Sequence, residues 1–171
     1  MCNVTMILEE PLSALLAKTT DNFGNDRAFN GGKVRVDKFE VVPAVNNRQI
    51  QFKFTTKTTG EAYETMLVFD DVEYVTEPTE TSVTVKAVDG SDYHVEPLAH
   101  DKSDVRVRCT CLDFYYRFAS HNKTSNSLHG DAPPPYVKKT NRAPVNPNKV
   151  SGNCKHILAA VDYIGNLNLI N

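Results

Sequence analysis

The chain has no run of 18 apolar residues, the minimum that a bilayer-spanning helix needs, so no membrane partner is expected. Its start, Met1-Cys2-Asn3-Val4-Thr5, lacks the basic region and the apolar core of a secretory signal. The expectation is a soluble, unexported protein, in which the sequons at Asn3 and Asn122 carry no meaning. No internal repeat is found, which excludes solenoid and propeller arrays. Cysteine is scarce, with four in 171 residues, and in a reducing compartment closely spaced cysteines are ligands for a metal sooner than disulfide partners. With 40% hydrophobic content the length suffices for one core, or for one core with an appended metal module, and pervasive disorder is not expected.

Charge of one sign is also lacking overall, since the formal net charge is -2, but the two ends of the chain differ. Residues 1–114 hold 12 Lys/Arg against 19 Asp/Glu, and residues 115–171 hold 7 against 2. A basic segment of this kind fits a polyanion such as nucleic acid, an acidic protein face, or simply a solvated loop.

Hydrophobic periodicity divides the chain into an N-terminal helix and arm (1–32), an antiparallel β-rich region (33–102) and a C-terminal strand-helix module (103–171). Leu12, Leu15 and Leu16, with Pro11 near the start, predict a short amphipathic helix over 8–18. The polar, Asn- and Gly-rich stretch 19–32 reads as a loop or flexible arm, which would leave that helix separable from the core. From Lys33 apolar residues alternate: Val34, Val36, Phe39 and Val41, then Ile50, Phe52 and Phe54, then Met66, Val68 and Val72. Turn signals at Asn46-Asn47 and Thr59-Gly60 predict antiparallel pairing of consecutive strands. Val83–Val88 and Tyr93–Val95 flank a hairpin turn at Asp89-Gly90, and Val105–Cys109 is the last strand, with Arg106 and Arg108 opposite its apolar face. Leu112, Tyr115, Tyr116 and Ala119 fit the buried face of a helix. The stretch 120–153, with Pro133-Pro134-Pro135, Pro144 and Pro147, has no sustained period. Ile157, Ala160, Val161 and Ile164 predict a final helix ending at Gly165. The fold class expected is α+β.

The chemistry concentrates in Cys109-Thr110-Cys111 and Cys154-Lys155-His156. A thiolate-rich Cys3His set at this spacing suits a closed tetrahedral zinc site, and the second pair, at the start of a helix, would gain from the positive end of the helix dipole. A disulfide pair is the bland alternative. Four protein ligands would leave no open position for water or substrate, and Cys154 two residues from His156 makes a poor nucleophile–base pair, so no enzyme activity is expected.

The order Cys-x-Cys, spacer, Cys-x-His resembles the SWIM-type zinc finger over Val105–Ile164. That resemblance implies Cys109, Cys111, Cys154 and His156 as ligands of a strand-strand-helix module that binds nucleic acid or protein. The 42 residues between Cys111 and Cys154 exceed the usual spacer of that family. Arg108–Phe118 and Cys154–Ile157 are similar to small SWIM proteins encoded by tailed bacteriophages. This narrower likeness implies a virion or assembly component, located in the host cytoplasm or the virion, whose partners are proteins including other copies of itself.

Other readings attach to the long spacer. Lys123, Lys138, Lys139, Arg142, Lys149 and Lys155 near Tyr136 offer phosphate-neutralising charge and an aromatic face, as a DNA backbone reader would. The same charges could instead meet the acidic half of another copy. Pro133-Pro134-Pro135-Tyr136 matches a WW-domain ligand, with chance as the alternative. Asp113 is a candidate hydrogen-bond partner that orients His156. Phe114 and Tyr116 are read as packing, Cys2 as an incidental free thiol, and His94, His100, His121 and His129 as surface or loop residues whose spacing suggests no second site.

Overall fold

The computed structural model describes residues 10–23, 33–134, 137 and 139–171. Cys2, Asn3, Pro135, Tyr136 and Lys138, and most of the arm 19–32, for which the sequence sets expectations, lie outside the described residues.

Helix α1 (Leu12–Phe23) runs through the polar residues expected to end it. Thr19 and Thr20 donate their hydroxyls to the carbonyls of Leu15 and Leu16 at 2.7 and 3.1 Å, and the Asn22 amide donates to Lys18 O at 2.8 Å. Side chains that usually compete with a helix are here bonded to its own backbone. Leu12 and Leu15 are fully buried in the main core, so the helix is docked, not separable.

Strands β1 (Arg35–Ala44), β2 (Gln49–Thr58) and β3 (Glu61–Phe69) form an antiparallel meander. Thr59 and Gly60, at φ 48° and 92°, supply the two left-handed residues of a tight hairpin whose twist matches the strands. The next strand does not pair with β3, although consecutive antiparallel pairing returns in the expected hairpin over 83–95. Strands β4 (Tyr74–Val75), β5 (Val83–Lys86) and β6 (Asp92–Val95) make a separate sheet in the order β4-β6-β5, and β7 (Val105–Cys109) pairs antiparallel with β3 to complete the order β1-β2-β3-β7. Leu128 adds a parallel bridge on the outer side of β7.

Along β2 every second residue from Ile50 to Thr58 is buried, and this inner face is covered by the C-terminal helix. Cross-strand rows on it run Ile50–Phe69–Val105, Phe52–Leu67–Val107 and Phe54–Thr65–Cys109. The first two rows are wholly apolar, and each fully buried side chain there contributes about 1.5–3 kcal/mol. The third row turns polar where the cysteine enters, and Thr56 and Thr58 continue that polar end.

After Cys111 the chain forms two short helices, α2 (Leu112–Arg117) and α3 (Ala119–Thr124), where one was expected. The predicted buried face is also wrong in part. Leu112 is 68% and Tyr116 44% exposed, whereas Phe114, Phe118 and Ala119 are buried. Cys111 is the N-cap of α2 and its sulfur accepts the Phe114 N–H. Holding the sulfur inward turns Phe114 and Phe118 to the core and Leu112 outward.

The spacer is irregular yet anchored, because asparagine amides stand in for a backbone ladder. Asn122 donates to Gly152 O at 3.1 Å and accepts the Gly152 N–H at 2.9 Å. Asn146 donates to Arg117 O and Val150 O at 2.9 and 2.7 Å.

Helix α4 (Lys155–Asn166) buries Ile157, Ala160, Val161 and Ile164, as its periodicity predicts. It passes through Gly165, and the left-handed residue beyond it is Asn168, at φ 56°. Leu169 then donates to Ile164 O at 3.0 Å and turns the terminus back to bridge Leu98 through Ile170. Among the described residues no helix is long and apolar enough to cross a membrane.

Candidate metal centre

Cys109 ends β7, Cys111 caps α2, Cys154 caps α4 and His156 lies in its first turn. These four side chains, far apart in two pairs along the sequence, converge so that their ligand atoms all lie within 4.8 Å of one another. All four are at most 5% exposed, and the three cysteines are free thiols, not disulfide partners.

The donor set fits a metal ion. Tetrahedral coordination with metal–sulfur bonds of about 2.3 Å and metal–nitrogen bonds of about 2.0 Å requires sulfur-to-nitrogen separations of about 3.5 Å. His156 Nδ1 lies 3.7 Å from Cys109 Sγ and 3.9 Å from Cys154 Sγ. Nδ1 is therefore the nitrogen that faces the centre.

The other imidazole nitrogen, Nε2, is 2.9 Å from the hydroxyl of Thr58, buried at the end of β2. A ligating histidine is oriented by the partner of its second nitrogen, and here that partner is Thr58. The expectation for Asp113 is thus overturned: its carboxylate sits 3.3 Å from Arg117 Nη2, one turn along α2. The Tyr63 ring, 4.5 Å between centroids from the His156 ring, holds the imidazole on its other side. The Tyr63 hydroxyl donates to Glu61. That hydrogen bond first, then burial and the charge of the Glu61 carboxylate, pushes the phenol up to about 12.

The sulfurs also have partners. Cys109 Sγ accepts from Thr65 Oγ1 at 3.6 Å and from the Cys111 N–H at 3.5 Å, and Cys111 Sγ accepts from the Phe114 N–H at 3.3 Å. Donors aimed at sulfur stabilise thiolates. Without a cation the three thiols compete. Hydrogen bonds from Cys109 and Cys154 pull Cys111 well below the usual thiol range. Donation to Cys111 pushes Cys109 up to about 12, and burial pushes Cys154 up. A bound metal would replace this sharing of protons by ionising all three, so metal uptake would release protons.

The remaining predicted residues divide. Lys123, Lys139, Arg142 and Lys149 are exposed, and none has an ion-pair partner among the described residues. They do not converge on the metal centre, and Tyr136 and Lys138 lie outside the described residues. Arg106 is paired with Asp70 at 2.9 Å, and Arg108 donates to the carbonyls of His129 and Asp131, both at 2.8 Å. Thr58, Tyr63 and Thr65 escaped the sequence reading, although threonine at alternate positions 56 and 58, where an aromatic would continue the pattern, is a legible departure from an apolar face.

No family model, curated protein or solved structure matches the chain, so the SWIM-type resemblance stands on the residues around the two ligand pairs.

Proposed function

We propose that the chain is a non-enzymatic, zinc-stabilised interaction protein built on a SWIM-type finger, whose exposed basic spacer is the surface offered to partners. The observation that carries this reading is the closed, buried Cys3His cluster at the root of that spacer. Three thiolates and an imidazole whose ligand atoms lie within 4.8 Å of one another favour zinc over harder ions. All four positions are filled by protein, which supports a metal that stabilises and does not react. The likeness of Arg108–Phe118 and Cys154–Ile157 to phage SWIM proteins supports a structural or assembly role in a virion, with other copies of the chain among the partners. The exposed cations of the spacer against the acidic first two-thirds of a neighbouring copy make such self-contact electrostatically coherent.

A second reading, DNA binding by the same spacer, is favoured by one observation. Lys123, Lys139, Arg142 and Lys149 are exposed with no carboxylate partner among the described residues.

Elemental analysis of purified protein should return one zinc per chain. Its removal, or Cys154→Ser, should cost about 4 kcal/mol at a metal excess of ~1,000 Kd, lowering Tm by roughly 8–16 °C. A metal-free protein of unchanged Tm would overturn the zinc assignment. For the spacer, sedimentation should reveal oligomers that dissociate with salt and are lost when Lys123, Lys139, Arg142 and Lys149 become glutamine. DNA affinity falling steeply with salt, without oligomers, would favour the second reading. A monomer that binds neither would refute the spacer as a contact surface.

A further inference from the structure

We infer that α1 is a strap across the two arms of the metal centre, and that its docking is coupled to metal occupancy. This rests on the metal-binding reading above. One arm is β7, which delivers Cys109. The other is the segment 151–153, which delivers Cys154.

The strap grips the first arm through its backbone. Glu10 O accepts the Val105 N–H at 3.2 Å, Pro11 bridges Asp104, and the Ser13 N–H donates to His100 O at 2.8 Å. It grips the second arm through side chains. The Glu10 carboxylate, 6% exposed, accepts from Ser151 Oγ at 2.7 Å and pairs with Lys18, which also reaches Ser151 Oγ at 3.3 Å. Thr19 Oγ1, 2% exposed, accepts the N–H of Asn153, the residue before Cys154, at 2.9 Å. At Gly152 the fit is close enough that a Cβ would lie 2.8 Å from Phe118 Cε1 and 2.9 Å from Thr19 Oγ1.

A helix of 12 residues is marginal alone and depends on its docking face. This docking needs both arms at once, because Glu10 touches each of them. Separating the arms would take the Ser151 hydroxyl from the buried Glu10 carboxylate, leaving it Lys18 alone, and would strip the Asn153 N–H of its partner, which is costly. Metal ligation is the bond that fixes Cys109 and Cys154 to one point and so fixes the arms relative to each other. Whatever favours the paired arms favours the strap, and by reciprocity the docked strap raises metal affinity by the same factor.

The test uses the full chain and Zn2+ itself. Hydrogen exchange of the α1 amides is measured in zinc-loaded and chelated protein, and zinc affinity is measured by competition with a chromophoric chelator for wild type and for the Glu10→Gln/Thr19→Val double variant. The coupling predicts faster exchange over 12–23 after chelation and an affinity about tenfold weaker in the variant. Equal protection of α1 with and without zinc would overturn it, and this arm needs no variant to fold. An unchanged affinity in a folded variant would overturn it as well. A wild-type chain that takes up no zinc would sink the metal reading and the coupling together, whereas zinc uptake indifferent to the strap sinks only the coupling.

Discussion

Replacing Thr58 by valine removes one hydroxyl and keeps the shape of the side chain, so its effect isolates the hydrogen bond to His156. The bond is 2.9 Å long and both residues are buried, at 8% and 2% exposure. With Nδ1 turned to the sulfurs, Nε2 carries the proton that Thr58 accepts. In the valine variant that N–H has no water to replace the lost partner, and a buried donor left unsatisfied costs about 1–3 kcal/mol. If the whole cost falls on the metal-bound state, zinc affinity drops by about 5- to 150-fold at 1.4 kcal/mol per decade. The range brackets the 10–100-fold typical of lost outer partners at metal sites. Competition against a chromophoric chelator measures it directly. Thr58→Ser, which keeps the hydroxyl, should restore most of the affinity, and Asp113→Asn should leave it within about twofold, since Asp113 is engaged with Arg117. Unchanged affinity in Thr58→Val, or an equal loss in Thr58→Ser, would refute the assignment of Thr58 as the orienting partner.

Phe114→Ala should cost about 3–5 kcal/mol in chemical denaturation, because Phe114 is 2% exposed, whereas Leu112→Ala, at 68% exposure, should stay within about 0.5 kcal/mol. Equal effects would mean that α2 faces the core as its periodicity alone suggests. Gly152→Ala forces a methyl group to within 3 Å of Phe118 and Thr19, and the overpacking should cost about 1–3 kcal/mol by the same assay. His129 is held neutral by burial first and then by Arg106, Arg108 and Lys53, so its pKa is depressed below 6.5. The unfolded chain binds that proton more readily, so stability is fully present above about pH 6.5 and declines as pH falls through the folded pKa. Between pH 7 and 5 the fall in Tm should therefore be shallower in His129→Gln than in wild type, and parallel curves would contradict the depression.

The candidate metal ligands and most elements of the fold were legible in the sequence because they are local. Cys-x-Cys and Cys-x-His set donor atoms at fixed spacing, period-2 alternation marks one face of a strand whatever it pairs with, and Thr59-Gly60 sets a turn with two residues. The helix over Ile157–Ile164 declares itself by its own stripe. What tertiary structure alone decided is partnership. Whether β3 pairs with β4 or β7, which way α2 turns once Cys111 must face inward, and whether α1 swings free or docks all depend on contacts between distant residues that leave no periodic trace. Thr58 shows the limit most clearly. It stands 98 positions from His156, and only the sheet that brings the end of β2 beneath the first turn of α4 puts an ordinary threonine in hydrogen-bond reach of the histidine of the candidate metal centre.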